Sequence, residues 1–260
     1  MSPKLAQIFL YPIKSLDPVA VNQATILKSG ALKGDRSFAI VDEKGNFVNG
    51  KSHRKIHLLR SSFNYKTNIL SLQIQGTDEK AKFHVEHQQK HLETWLSNYF
   101  RFPVQLVKNE ITGFPDDTIA SGPTIISTAT LETVASWFGS LTVEDMRKRL
   151  RSNLEIDGVP SFWEDRLFGA VEEKVEFKIG DLLFQGINPC QRCIVPTRDA
   201  ITGEPYPNFQ KILSAQRQKY LPPWVNKSRF NHFYRLAVNT ITPESEAGKT
   251  LSIGDKFTYI

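Results

Sequence analysis

Three times the chain places Gly-Asp just ahead of an apolar, strand-forming run. The segments are Lys33-Gly34-Asp35-Arg36-Ser37-Phe38, Ile179-Gly180-Asp181-Leu182-Leu183-Phe184 and Ile253-Gly254-Asp255-Lys256-Phe257. A Gly-Asp pair supplies the tight turn that feeds a strand. The recurrence is a barrel or sandwich habit, not a repeat architecture. There is no strand–helix alternation of the doubly wound type and no glycine-rich phosphate loop. The fold expected is therefore mainly β with a few packed helices, an α+β arrangement.

The apolar periods support this. Leu5–Ile13, Val19–Leu27, Phe38–Val41 and Ile69–Ile74 read as strands, with a turn signal over Asp42–Asn46. Leu92, Trp95, Leu96, Tyr99 and Phe100 repeat at helical spacing, which predicts a helix from about Glu86 to Phe100. Phe102–Val107 returns to strand. Lys108–Pro123 is rich in Asp, Gly, Pro, Ser and Thr and marks a boundary, giving an N-terminal unit of residues 1–115 and a second unit of 116–260. Beyond it come a strand at Thr124–Ile126 and a helix with Leu131, Val134 and Trp137-Phe138 on one side. Thr142 with Asp145 is a capping signature that opens a short basic helix. Phe209, Ile212, Leu213, Gln216 and Tyr220 give one further amphipathic helix.

Composition sets outer bounds. The 260 residues carry 33 Lys and Arg against 27 Asp and Glu, a net +6. That surplus suits an anionic ligand, a nucleic acid or a membrane surface. No motif supports nucleic-acid binding, so that class is disfavoured. No stretch approaches the roughly 18 apolar residues of a membrane span. Residues 1–15 lack the core and cleavage site of a signal peptide. With only two cysteines, a disulfide scaffold is ruled out and a cytoplasmic location is expected.

Both cysteines lie in Asn188-Pro189-Cys190-Gln191-Arg192-Cys193-Ile194-Val195-Pro196-Thr197-Arg198-Asp199. A C-x-x-C can be half of a zinc site, but no second pair completes four ligands. It can be a redox dithiol, but Pro189 and Ile194-Val195-Pro196 do not make the helix such a motif opens. It can present one thiolate as a soft-metal ligand or nucleophile, favoured by Arg192 beside Cys193. It can also be two inert structural cysteines. On a continuous helix His84, His87 and His91 would share one face, but a helix from about Glu86 leaves His84 outside it and no acid or cysteine completes a metal set, so a solvated face is the simpler reading. His53, His57 and His232 are isolated. Lys14-Ser15, Arg36, and Arg151 with Asn153 each put a cation at the end of a regular element. Such a set suits a phosphate, and scattered surface cations look the same in sequence.

Taken in order, these segments resemble the two-domain MOSC proteins. Tyr11-Pro12-Ile13-Lys14-Ser15 and Gly34-Asp35-Arg36-Ser37-Phe38-Ala39 resemble the N-terminal β-barrel domain that precedes a MOSC domain, and Trp95–Val107 its closing helix and strand. Ser127-Thr128-Ala129-Thr130-Leu131 is similar to the family's hydroxyl-rich helix entry. Arg149-Leu150-Arg151-Ser152-Asn153-Leu154 resembles its R-x-R-x-N segment. Glu164-Asp165 and the turn at Ile179 follow in order, and Cys190-Gln191-Arg192-Cys193 with Asp199 resembles its cysteine motif. Members of this type include the mitochondrial amidoxime-reducing component and bacterial relatives.

The resemblance implies an N-terminal β-barrel-like domain packed on a MOSC β-barrel domain. It implies a molybdenum cofactor, a pterin dithiolene with an anionic phosphate tail, and Cys193 as the thiolate on the metal. Lys14, Ser15, Arg36, Arg151, Asn153, Gln191 and Arg192 match the cofactor contacts. Ser127 and Thr128 are further candidates through a hydroxyl or helix-terminal amides. The implied activity is two-electron reduction of N-hydroxylated compounds such as hydroxylamines and amidoximes. Asp199 and Asp165 are candidate proton donors. A sulfur-carrying or cofactor-binding module is the alternative. Two departures fall near the site: Thr197-Arg198-Asp199-Ala200 stands where the family has Thr-Val-Asp-Pro, and Ser152 stands where it has Pro. Neither a membrane anchor nor a ferredoxin-like domain is expected. No iron–sulfur cluster is expected either, so electrons would come from a separate ferredoxin-, flavoprotein- or cytochrome-type donor.

Overall fold

The computed structural model describes residues 2–260. In its first half the strands are β1 (Lys4–Leu10), β2 (Val19–Val21), β3 (Gln23–Thr25), β4 (Phe38–Asp42), β5 (Leu59–Asn64), β6 (Ile69–Ile74) and β7 (Lys80–His84). Helix α1 (Gln89–Phe100) and strand β8 (Val104–Lys108) follow. Then come β9 (Ile125–Ser127), α2 (Thr128–Ser136), α3 (Val143–Leu150), β10 (Leu154–Asp157), β11 (Val175–Ile179) and β12 (Leu182–Gln191). The chain ends in α4 (Phe209–Lys219), β13 (Arg235–Ile241), β14 (Thr250–Ser252) and β15 (Phe257–Tyr259).

Eight strands form the main sheet, in the order β15-β11-β12-β13-β9-β10-β1-β2. Lys4 bridges Lys256, and the N–H groups of Leu5, Gly254 and Phe257 donate to the carbonyls of Asp255, Leu5 and Pro3, so the sheet curls until its ends touch without a full strand ladder closing it as a barrel. The smaller sheets are β14-β3, β4-β8 and the meander β5-β6-β7. The expected class, mainly β with a few helices, is the one observed.

The N-terminal strand pairs with its neighbour β2 on one side and with a distant strand on the other. β1 pairs antiparallel with β10, Ile8 opposite Leu154, about 146 positions away along the chain. Leu5, Ile8, Leu10, Ala24 and Ile26 therefore share a core with Ile125, Phe177, Phe184 and Val238. From Ile13 onward the chain enters a second core with Ile40, Leu59, Leu92, Leu96 and Leu106. A third cluster packs α2, α3 and α4 against β13 through Leu131, Met146, Leu213 and Leu236.

The Gly-Asp turns behave as expected. Gly34, Gly180 and Gly254 have φ of 86°, 60° and 94°, a left-handed conformation that glycine adopts without penalty. The Thr142 hydroxyl accepts the Asp145 N–H and the Asp145 carboxylate accepts the Thr142 N–H, the reciprocal box that starts α3. Two expectations are corrected. Val19–Leu27 is not one strand: β2 and β3 belong to different sheets, because the chain crosses at Asn22, whose carbonyl accepts the Ile253 N–H. Helix α1 begins three residues after Glu86, because the His84 imidazole accepts the N–H groups of Glu86 and His87 and fixes a turn there. His84 thus ends a strand and lies off the α1 face.

Ile8 tests the strand exchange. Ile8→Ala empties a fully buried position in the shared core. It is expected to destabilise the protein by about 2–5 kcal/mol, read as a lower urea midpoint at unchanged m-value. A midpoint within error of the parent would mean that β1 is not part of the cooperative core.

Candidate functional site

A cavity of about 950 Å³ opens between the second core and the main sheet. Its wall carries ten Lys or Arg side chains against four Asp or Glu, so much of the chain's positive surplus is gathered in one concavity. Low-dielectric walls focus such a field. Lys14, Ser15, Arg36, Arg151, Asn153, Gln191, Arg192 and Cys193 all line it, although they come from four separate segments.

Local backbone explains how each arrives. Ser15, Arg36 and Arg151 all have positive φ (74°, 48° and 54°), which costs a non-glycine residue unless its surroundings enforce it. Arg151 is the left-handed C-cap of α3, so its side chain turns off the helix axis into the cavity. The Arg36 N–H donates to the Tyr11 carbonyl at 2.6 Å, and the Asp35 carboxylate accepts the Tyr11 N–H at 2.8 Å, which clamps the Gly-Asp turn beside the end of β1. Tyr11 is the hub that sequence reasoning did not single out as a functional residue. Its buried ring lies 4.9 Å from the Arg36 guanidinium and 4.2 Å from that of Arg151. Burial pushes its phenol up to about 12 despite those two cations, so it stays protonated and donates to the Ser152 carbonyl.

The cysteines sit where β12 ends. The β12–β13 pairing slips between Pro189 and Gln191, with Ala237 of β13 at φ 67°. A bulge of this kind bends a strand end and re-aims its side chains. Cys190 and Cys193 are both free, half-buried and on the cavity wall. Among the described residues, no group of three or more His, Cys, Asp or Glu is placed to hold a metal ion, so the four-ligand zinc arrangement does not form.

Arginine dominates the wall. Arg192 donates to the Leu150 carbonyl at 2.9 Å, yet its Nε and one Nη are buried with no partner. Arg151 donates to the Leu16 carbonyl at 2.8 Å. Arg36 is paired with Asp35 and also reaches the Asn153 side chain. Lys14 is buried and donates to Asp116 at 2.8 Å. Burial alone would raise the Asp116 carboxyl, but Lys14, Lys51 and Arg36 outweigh it and hold it below the usual carboxylate range. Among the described residues no carboxylate reaches salt-bridge distance of Arg151, Arg192, Arg198 or Arg235. Unpaired buried guanidinium N–H groups and a soft thiol are the donors that an anionic, metal-bearing cofactor requires, so the residues present fit the molybdenum cofactor.

Four expected residues lie elsewhere. Ser127 caps α2 and donates to the buried carboxylate of Glu164 at 2.9 Å. Thr128 donates to Glu155 at 2.9 Å, which is itself held by Arg147. Their hydroxyls are spent on buried carboxylates, away from the cavity. Asp165 is buried in an ion pair with Arg217. Asp199 accepts the N–H groups of Ile201 and Thr202 and pairs with Arg149 at 3.3 Å; burial raises its carboxyl, but these partners prevail and keep it ionised. Conversely, His57, which looked isolated in sequence, lies on the cavity wall with its Nε2 buried and unpartnered.

An eight-stranded curled sheet with a basic cavity and a wall cysteine defines a mainly β protein with a cationic concavity beside a thiol. Its family is shown by comparison with known proteins. The MOSC N-terminal beta barrel domain model matches residues 2–117 and the MOSC domain model matches residues 123–257, so this chain belongs to the MOSC-domain proteins. Among curated proteins, the molybdenum cofactor sulfurase of Caenorhabditis elegans is 24% identical over 240 residues, 84% of this chain and 32% of the relative. That of Homo sapiens is 22% identical over 263 residues, 83% of this chain and 29% of the relative. Molybdenum cofactor sulfurase 3 of Aedes aegypti is 38% identical over 77 residues, 30% of this chain. The chain spans about a third of the length of the first two relatives.

His57 gives the site a pH signature. Burial first, then Arg198, Arg151 and Arg60, push its imidazole down to about 4, against the favourable Gly50 contact. A depressed histidine binds fewer protons folded than unfolded between about 4 and 6.5, so its contribution is complete above 6.5 and is lost as pH falls through 4. Glu164, raised to about 7 chiefly by burial, acts in the opposite sense over the same range, so only a difference isolates His57. Relative to His57→Gln, the parent is expected to lose up to about 3 kcal/mol on acidification across that window. Parallel urea-stability profiles for the two proteins would contradict this.

Proposed function

We propose that this protein binds a molybdenum cofactor in the basic cavity, with the Cys193 thiolate as the protein's ligand to the metal, and reduces N-hydroxylated compounds. The observation that supports this reading best is one wall on which Cys193 stands with Arg151 and Arg192, two guanidiniums that no carboxylate among the described residues reaches at salt-bridge distance. Lys14, Ser15, Arg36, Arg151, Asn153, Gln191 and Arg192 hold the cofactor's anionic tail. The free Nε and Nη of Arg192 donate to it, and Arg151, fixed by Leu16 and Tyr11, supplies charge without moving. When bound, the cofactor supplies a redox metal that exchanges two electrons with the substrate.

The reaction converts R–NH–OH to R–NH2, consumes two electrons and two protons, and releases water. The electrons come from a separate donor protein. Asp165 and Asp199 are engaged with arginine and backbone partners, so neither is assigned the proton; it enters from solvent. In this reading residues 1–115 and 116–260 are the two units, and the cavity is where they meet.

A second reading is favoured by the names of the relatives, molybdenum cofactor sulfurases, together with the two free thiols on one wall. In it Cys193 carries a persulfide, and the protein binds cofactor or delivers sulfur without reducing a substrate.

Molybdenum measured per chain on protein from a cofactor-competent host separates the readings. Near-stoichiometric metal and benzamidoxime turnover are expected in the parent, and turnover below detection in Cys193→Ala. Arg192→Ala is expected to weaken cofactor retention about 10- to 100-fold. Retained turnover in Cys193→Ala removes the ligand assignment. An added sulfur on Cys193 after incubation with a cysteine desulfurase, without molybdenum, establishes the carrier instead.

A further inference from the structure

The cavity holds more positive charge than the proposed cofactor contacts account for. Arg60 and Arg198 line it outside that set. They are organised into one cluster where the loop after Cys193 meets the N-terminal unit. Arg198 donates to the Gly50 carbonyl at 3.0 Å. Arg60 donates to the carbonyls of His57 at 2.7 Å and Ala200 at 3.0 Å. Gly50 approaches the His57 imidazole so closely that a Cβ at position 50 would lie 2.9 Å from Nε2, so the cluster is packed and not a loose surface group.

Part of its hydrogen-bonding capacity is unspent, although one Arg60 Nη also donates to the Leu59 carbonyl at 3.1 Å. His57 is 8% exposed, and its Nε2 is buried with no partner. The Nε of Arg60 is likewise buried and unpartnered, although Asp17 stands 3.3 Å from one Nη. Among the described residues, no carboxylate reaches salt-bridge distance of Arg198. A buried donor left unmatched costs about 1–3 kcal/mol, so such a constellation is stable chiefly when a ligand completes it. The Arg198 guanidinium matches a planar two-oxygen anion, and the Arg60 Nε and the imidazole add further N–H groups.

We propose that Arg198, Arg60 and His57 form a second anion subsite in the cavity, which receives a carboxylate carried by the substrate and so selects anionic over neutral N-hydroxylated compounds. This rests on the reductase reading for the word substrate, but the subsite itself is testable without turnover. The ligand is held at two ends, with its anionic end on this cluster and its other end toward Cys193. Arg198 is a specificity residue in this scheme and takes no part in bond breaking.

The test is calorimetric titration of the cofactor-loaded protein with 4-carbamoylbenzoate and with benzamide, which share an amide head and differ by the carboxylate. The parent is expected to bind the carboxylate about 10- to 100-fold more tightly. Arg198→Gln should remove most of that preference and Arg198→Lys should restore part of it, with molybdenum content and melting temperature unchanged in both. Equal affinity of the parent for the two probes overturns the proposal, and this arm needs no variant. An undiminished preference in Arg198→Gln overturns it as well. Preferential binding of 4-carbamoylbenzoate that is lost in Arg198→Gln, with no amidoxime turnover, upholds the subsite while the reductase reading falls.

Discussion

The site depends on arginines that are held by backbone carbonyls instead of carboxylates. Arg192 is fixed by Leu150, Arg151 by Leu16 and Arg198 by Gly50. A buried charge is costly unless it is hydrogen-bonded. A carbonyl dipole satisfies part of a guanidinium without cancelling its charge. The result is a rigid wall with a standing positive field. Had each arginine met an acid, as Arg147 meets Glu155 and Arg217 meets Asp165, the cavity would be neutral.

The same bonds join distant parts of the chain. Arg151 reaches back 135 positions to Leu16, and Arg198 reaches 148 positions to Gly50. Insertion of β1 beside β10 brings Tyr11, Lys14 and Ser15 up to Arg151 and Asn153. The Asn153 side chain then donates to the Phe9 carbonyl at 3.0 Å, which locks the strand end in place. Ser15, Arg36 and Arg151 keep left-handed backbones because these contacts over-determine them. Main-chain strain, strand exchange and the collected charge have one cause, the docking of the N-terminal strand onto the far sheet.

Much of the fold was legible in the residues. Strand runs, the α3 capping box and the Gly-Asp turns are local, and each formed as its chemistry requires. The apolar strand Ile69–Ile74 matched its expected bounds. The break at Asn22 and the late start of α1 were not legible. The first depends on which sheet each half of the run joins, and the second on one imidazole accepting two N–H groups. In the site, the segments at Lys14, Arg36, Arg151 and Cys193 stood out by residue type, and the structure gathers all of them at the cavity. Tyr11 and His57 give weaker signals, because an aromatic or a lone histidine reads as core until its neighbours are known.

By itself the sequence determined the class of fold, the Gly-Asp turns, the capped start of α3 and the inventory of cations and thiols, since these follow from neighbouring residues. Only the tertiary structure decided which of those groups are available. Ser127 and Thr128 carry the hydroxyls expected at a ligand site, yet folding commits them to Glu164 and Glu155. Asp165 is committed to Arg217, while Arg192 and Arg198 are left without an acid. The reason is physical. A hydrogen bond or ion pair is consumed by whatever packing brings within about 3 Å, and those partners lie tens to more than a hundred residues away along the chain.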